Sequence, residues 1–133
     1  MTLLDTNTVI AYLKGINSVV TRLQAARPSE LGIPSIVAYE LEYGTIRISS
    51  GRRRSLVSGL LGALMQVPFD HDAAQMAARI RFDLEGRGLL IGPMDLSIAG
   101  TALSTRATLV TANTREFSRV KGLHIADWTR QGG

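Results

Sequence analysis

Short apolar segments alternate with helix-like segments along the whole chain, and this alternation constrains the fold more than any other feature. Apolar segments at 3–4, 31–33, 67–69, 108–111 and 123–126 predict strands. Between them, helical spacing or capping residues predict helices at 9–13, 17–26, 35–48 with Ser35 as N-cap, 52–65, from Asp70 or Asp72 to 85, and 94–105. Strands that alternate with helices are typical of an α/β domain with a mostly parallel sheet. We find no repeat or shift in composition, so residues 1–133 are expected to form a single domain.

Charge and composition narrow the class of protein. No apolar run reaches the roughly 18–20 residues that span a bilayer, and the N-terminus lacks the basic start of a signal peptide, so we expect a cytoplasmic protein without a membrane partner. The chain has no cysteine, which excludes disulfides and thiolate metal sites. Its net charge is +4, and a net-positive surface attracts the phosphates of nucleic acids. A gene rich in arginine codons would explain the same excess.

Three acidic residues are candidates for a site: two follow predicted strands, at the edge where open parallel sheets form their sites, and the third lies at the start of a predicted helix. Asp5 follows the first strand, Glu116 lies in the segment after the strand at 108–111, and Asp95 falls in the first turn after Pro93. Each has a simpler explanation. Asp5 could cap a turn, Asp95 could stabilise a helix start, and Glu116 could be solvated.

The segment YELEYG adds a fourth acid. Glu40 and Glu42 point to nearly opposite sides of a helix, so only one of them can face a site. Gly44 lies on the same face as Glu40, and a glycine inside a helix costs about 1 kcal/mol relative to alanine. That cost is understandable if a backbone or a ligand approaches this face closely. A glycine needed for packing, with both glutamates solvated, is the alternative.

Acids gathered in one pocket repel each other unless they are protonated or bridged by a cation. Oxygen ligands without cysteine suit Mg²⁺ or Mn²⁺ better than zinc. His71 and His124 are the only histidines, and we interpret both as structural or surface residues.

Four segments in order carry a resemblance to a known family: LLDTNTVI, YELEYG, IGPMDLSIAGTAL and TLVTANTREFSRVKGLHIADW. Together they resemble the PIN-domain family and, within it, the VapC-type toxins of bacterial toxin–antitoxin pairs. The resemblance covers nearly the whole chain. It implies a PIN-like three-layer sandwich, with a mostly parallel sheet of about five strands flanked by helices.

The resemblance also implies roles for individual residues. Asp5 and Asp95 would be the principal metal ligands, Glu40 would complete the ligand set, and Glu116 would be the fourth catalytic acid. Many members of the family carry an Asp where this chain has Asn113, so the fourth position stays open between Glu116 and Asn113. The remaining candidates would hydrogen-bond the ligands or hold the substrate: Thr6, Thr111, Asn113 and Arg115.

The implied activity is Mg²⁺-dependent cleavage of RNA, with Mn²⁺ able to substitute, by a toxin that a cognate antitoxin holds in check. The substrate would be a tRNA or an rRNA, and the chain would form a homodimer. Ile46, Ile48 and Leu56 could line a groove for the antitoxin, although core packing would explain them equally well. Arg119 and Lys121 are further candidates for holding RNA phosphates, although an ordinary solvated basic face would explain them equally well. The run at 52–54 is a candidate for binding phosphate or an acidic partner. The alternative of another class is a non-catalytic RNA-binding or co-repressor module.

Overall fold

The structure is a computed structural model that describes residues 1–130. Its five strands are β1 (Thr2–Leu4), β2 (Leu31–Pro34), β3 (Met65–Val67), β4 (Thr108–Val110) and β5 (His124–Ala126). Its helices are α1 (Thr6–Leu13), α2 (Asn17–Ala25), α3 (Ser35–Ile48), α4 (Gly51–Ala63), α5 (His71–Gly86), α6 (Pro93–Ser104) and the short α7 (Thr114–Phe117), and a 3-10 turn spans Pro28–Glu30.

The strands form one parallel sheet in the order β3-β2-β1-β4-β5. From β1 the chain moves outward to β3, and the connection through α5 and α6 then carries it back across the sheet to β4. Because crossovers between parallel strands are right-handed, α1–α4 lie on one face of the sheet and α5–α7 on the other. The direction of winding therefore changes between β1 and β4, and their carboxyl ends border a crevice of the kind in which open α/β sheets bind ligands.

The core lies on both faces of the central strands. Leu3, Leu4, Ile33 and Leu109 are fully buried in it, as strands covered on both faces require. The parallel five-stranded sandwich predicted from the sequence is confirmed. Within residues 1–130, none of the helices combines the length and the apolar character needed to span a bilayer.

Three local predictions differ from the structure. The third strand begins two residues earlier than expected, because Gly32 pairs with Met65 and Pro34 with Val67, and α4 ends correspondingly earlier, at Ala63. Ser35 does not cap α3. It is the first helical residue, and its hydroxyl donates to the carbonyl oxygen of Val67, 3.3 Å away, across the neighbouring strand. The 3-10 turn and α7 were not predicted, since each is too short to show a period.

Gly100 allows α6 to pack closely against α5. A Cβ at this position would lie 2.7 Å from the carbonyl oxygen of Ala73 and 2.8 Å from Cβ of Ala77. Two helix backbones would have to separate to accept it. We therefore expect Gly100→Ala to lower the free energy of unfolding by about 1–3 kcal/mol, as overpacking of a core does, even though alanine is the better helix former.

Gly59→Ala is the matched control for this prediction. Gly59 lies inside α4, and no atom lies within 4 Å of the Cβ that it lacks. The free energy of unfolding of this variant should rise by up to about 1 kcal/mol, because alanine is the better helix former. Denaturant unfolding of both variants gives the comparison, and a Gly100→Ala protein as stable as the Gly59→Ala protein would show that the two helices separate at little cost.

Candidate active site

A pocket of about 140 Å³ lies at the crevice between the ends of β1 and β4. Residues from four segments of the chain line it: Asp5, Thr6, Asn7, Glu40, Asp95, Ile98, Asn113 and Phe117. The topology explains why they meet, since β1, β2 and β4 are neighbours and α6 begins beside them. Three of the four acids predicted from the sequence are therefore wall residues of one pocket.

Asp5 has two roles in the structure. Its Oδ1 accepts a hydrogen bond from the backbone N–H of Thr8 at 2.8 Å, which caps the N-terminus of α1. Its own N–H donates to the carbonyl oxygen of Val110 at 3.1 Å, which fixes it beside the end of β4. The carboxylate is buried, at 5% exposure, and it also lines the pocket. The capping explanation is therefore true of Asp5, and it does not remove this residue from the site.

Glu40 faces the pocket, whereas Glu42 is exposed on the other side of α3. The hydroxyl of Thr6 donates to Oε1 of Glu40 at 2.8 Å. This bond orients the carboxylate and leaves its second oxygen available. Gly44 has no atom within 4 Å of the Cβ that it lacks, so close packing inside the protein does not account for this glycine.

Asp95 lies in the first turn of α6, where the helix dipole favours an anion. The pKa of its carboxyl group is nevertheless raised. Burial is the largest cause, followed by the negative charges of Glu116, Glu40 and Asp5. Asp95 therefore experiences the other three acids at once, which identifies this region as a concentration of negative charge.

The segment after β4 supplies the remaining candidates. Asn113 lines the pocket, and its N–H donates to the hydroxyl oxygen of buried Thr111 at 3.0 Å. Glu116, in α7, is half-buried and is the acid that raises the pKa of Asp95 most. Asn113 and Glu116 are thus both close to the site, one as an uncharged amide in the wall and the other through its charge. Arg115 is exposed beside them.

Two of the predicted cations have contacts elsewhere. Arg119 donates to the carbonyl oxygens of Leu89 and Leu90 at 3.3 and 3.4 Å, and Lys121 lies 3.8 Å from Asp83. Arg119 thus contacts the loop before α6 and Lys121 contacts α5, and a role for either side chain in holding RNA phosphates stays a prediction.

The donor set fits a hard divalent cation. Within residues 1–130, no three His, Cys, Asp or Glu side chains are arranged to hold a metal ion by themselves. Mg²⁺, however, keeps several waters and usually takes only one or two carboxylates from a protein. The neighbouring carboxylates raise the pKa of Asp95 because their negative charges disfavour its ionised form. A bound cation would offset that repulsion. His71 and His124 are exposed on α5 and β5, in agreement with their interpretation as surface residues.

Sequence reasoning missed three wall residues. Asn7 is exposed at the mouth of the pocket, and buried Ile98 and Phe117 form apolar walls. Asn7 could have been found from its place two residues after Asp5. Ile98 and Phe117 carry no signal that separates them from ordinary core residues.

Known proteins resemble this chain in sequence. The PIN-domain family profile matches residues 2–123. A curated relative named tRNA(fMet)-specific endonuclease VapC, from Salmonella typhimurium, is 35% identical over 95% of this chain and 96% of its own length. Ribonuclease VapC2 from Rickettsia felis is 34% identical over 96% and 98%.

Solved structures show the same fold. The crystal structure of DNA-bound VapBC from Salmonella typhimurium contains a chain that is 36% identical, with a TM-score of 0.86 over 96% of this chain and 97% of that one. A chain of VapBC2 from Rickettsia felis, bound to a DNA fragment from its promoter, is 32% identical, with a TM-score of 0.83 over 96% and 98%. With the family profile covering most of the sequence, this chain belongs to the PIN-domain family.

Proposed function

We propose that the chain is a metal-dependent endoribonuclease and the toxin of a toxin–antitoxin pair. The observation that carries this proposal is the gathering of Asp5, Glu40, Asp95 and Glu116 around one pocket at the switch point of the sheet. A solvated or capping role for each acid would not bring them together. The relatives named as VapC ribonucleases support the same activity.

Mg²⁺, or Mn²⁺ in its place, is the proposed cofactor, with Asp5, Glu40 and Asp95 as its protein ligands. When bound, the ion lowers the pKa of a coordinated water and offsets negative charge at the scissile phosphate. Thr6 holds Glu40 in orientation, and Thr111 holds the backbone that presents Asn113. The amide of Asn113 and the guanidinium of Arg115 are available to a phosphate oxygen, and Glu116 adds negative charge beside Asp95.

A cleavage assay on a mixed pool of tRNA and rRNA tests this activity. We expect cleavage with Mg²⁺ or Mn²⁺ and none with excess chelator. tRNA(fMet) is the first individual substrate to try, because a relative is named for it. Folded protein that binds RNA in the presence of metal but leaves every RNA intact would instead favour the non-catalytic RNA-binding or co-repressor module.

We propose a cognate antitoxin as the partner, since related chains were solved as VapBC complexes. Ile46, Ile48 and Leu56 are 70%, 52% and 44% exposed, so core packing does not explain them, and they offer an apolar surface between α3 and α4. An antitoxin segment that lies there could send an arginine into the acidic pocket. Vigorous growth of cells that express the active chain alone at high level would contradict the toxin role.

We also infer that residues 1–133 act as one PIN domain, in the cytoplasm, as a homodimer. Light scattering at tens of micromolar, roughly the concentration that populates dimers of micromolar affinity, tests the oligomeric state. A strict monomer at that concentration would reject the dimer.

A further inference from the structure

A second cavity, which we call the α3 groove, opens beside the acidic pocket. It has a volume of about 420 Å³, and its walls include Ile10, Tyr39, Tyr43, Arg47, Arg53 and Met94. Thr6 and Glu40 line both this groove and the acidic pocket. The two cavities are therefore neighbours that share a wall, and a chain-like ligand held in the groove would pass directly to the carboxylates.

Two aromatic side chains dominate the exposed surface of the groove. Tyr39 and Tyr43 are one helical turn apart on α3, and they are 60% and 55% exposed. Residues four apart lie on the same face of a helix, so both rings stand on one face of α3, and both line the groove together with Glu40. Exposed aromatic rings in a row next to a charged site are a surface that a flat ligand can cover.

The groove also carries positive charge. The guanidinium of Arg47 lies over the ring of Tyr43, 5.9 Å from its centroid, which is a cation–π distance. Arg53 contributes a second guanidinium to the wall. The α3 groove is thus basic and aromatic, whereas the pocket next to it is acidic.

Gly44 keeps the floor of the groove open. It lies between Tyr43 and Arg47 on α3 and lines the groove, and the space that its Cβ would occupy is empty. A glycine lowers the stability of the helix, and within residues 1–130 no neighbouring group packs into the space that it leaves. A ligand that lies flat on α3 would use the space.

We propose that the α3 groove binds unpaired bases of the RNA substrate next to the scissile phosphate, with bases stacked on Tyr39 and Tyr43 and a phosphate on Arg47. This inference rests on the proposed ribonuclease function. Aromatic rings with adjacent cations are the usual means of holding single-stranded nucleic acid, because every base offers a stacking face. Bases paired in a duplex cannot reach such rings, so the groove would select unpaired segments of RNA.

Steady-state cleavage of a short single-stranded RNA by the full chain tests the proposal. We expect Tyr39→Ala and Tyr43→Ala each to raise KM by about 5- to 150-fold, the range that corresponds to loss of one stacked base, with kcat changed much less. Tyr39→Phe and Tyr43→Phe should restore KM to near the wild-type value, because stacking needs the ring and not the hydroxyl. Phe82→Ala is the matched control, since Phe82 is 83% exposed on α5 and lies outside both cavities.

An RNA with abasic nucleotides next to the cleavage site separates stacking from other effects. On this substrate the alanine variants should differ little from wild type, because no base remains to be stacked. An unchanged KM in the alanine variants on intact RNA would overturn the proposal while leaving the ribonuclease function standing. Weaker binding of an antitoxin peptide with that same unchanged KM would identify the groove as a protein-binding surface only.

The two proposals fail in different ways. If the wild-type chain cleaves no RNA, the proposed function fails. The groove is then tested by fluorescence anisotropy with the same oligonucleotide, and equal affinity of the wild-type and alanine variants in that measurement would overturn the stacking proposal as well.

Discussion

Asp5→Asn is expected to lower the rate of RNA cleavage by at least about 100-fold while the protein stays folded. Asparagine is as good an N-cap as aspartate, so its amide oxygen can replace Oδ1 of Asp5 in the bond to the N–H of Thr8. The negative charge and the proposed metal ligand are lost. Even partners that only support a ligand contribute 10- to 100-fold to affinity or activity, so loss of a ligand itself should exceed that range.

Asp70→Asn is the matched control for Asp5→Asn. Asp70 caps α5 in the same way, with its Oδ1 accepting from the backbone N–H of Ala73 at 2.9 Å, but it lies outside the acidic pocket. Both variants should melt within a few degrees of wild type, and only Asp5→Asn should lose activity. Equal cleavage by the two variants, or a loss of activity that follows a large fall in melting temperature, would reduce Asp5 to a helix cap.

Asp95→Asn should raise the melting temperature of the metal-free protein at neutral pH and remove most of the stabilisation by Mn²⁺. The rise follows from the loss of a half-buried charge that three neighbouring acids disfavour, and each 1 kcal/mol corresponds to roughly 2–6 °C in a domain of this size. Metal at 100 times its Kd would stabilise the wild type by about 2.7 kcal/mol. Mn²⁺ should stabilise the Asp95→Asn variant by only a small fraction of that free energy.

The difference in stability between Asp95→Asn and the wild type should depend on pH. The folded protein holds the Asp95 proton more tightly than the unfolded chain, because the pKa is raised in the folded state. The stabilisation from this group is therefore complete below its ordinary pKa of 3.8, and it is lost as pH rises through the raised value. The advantage of Asp95→Asn in metal-free buffer should accordingly grow as pH increases through that range.

Asp72→Asn controls for the helix dipole in this experiment. Asp72 is an exposed acid in the first turn of α5, so its removal costs the favourable interaction with a helix N-terminus without relieving any crowding of acids in the pocket. It should lower the melting temperature slightly and leave the response to Mn²⁺ unchanged. An Asp95→Asn protein that behaves like Asp72→Asn in both respects would argue against Asp95 as a ligand.

The order of the elements could be predicted from the sequence because strand and helix periods are local signals. The apolar residues at 108–110 and the helical spacing in 94–105 required no knowledge of distant contacts, and both agree with the structure. The limits of β3 could not be predicted, because Met65 joins the sheet through pairing with Gly32, a residue far away in sequence. The prediction that Ser35 caps α3 was wrong for a similar reason, since its hydroxyl donates to the carbonyl oxygen of Val67, on another strand.

In the site, too, local sequence patterns indicated some features, whereas others depend on contacts between distant segments. Asp5, Glu40 and Asp95 were found because their positions relative to predicted strands, helices and a glycine are visible in the sequence, and the structure brings all three to one pocket. Whether each of them binds metal stays a prediction. The hydrogen bond from Thr6 to Glu40 and the α3 groove depend on packing between α1, α3 and α6, which no local pattern encodes.

The position of β4 in the sheet bears on when this protein can become active during its own synthesis. β4 is made late, yet it pairs with β1 near the centre of the sheet, with Thr2 opposite Thr108. At about 5–20 residues per second, a ribosome needs roughly 5–20 s to travel between these two residues. Until then the side of β1 that pairs with β4 has no partner. The N–H of Asp5 and the hydroxyl of Thr8 also lack their acceptor, the carbonyl oxygen of Val110, and Glu116 has not been made. The acidic pocket can therefore be completed only when nearly the full length of the chain has been synthesised.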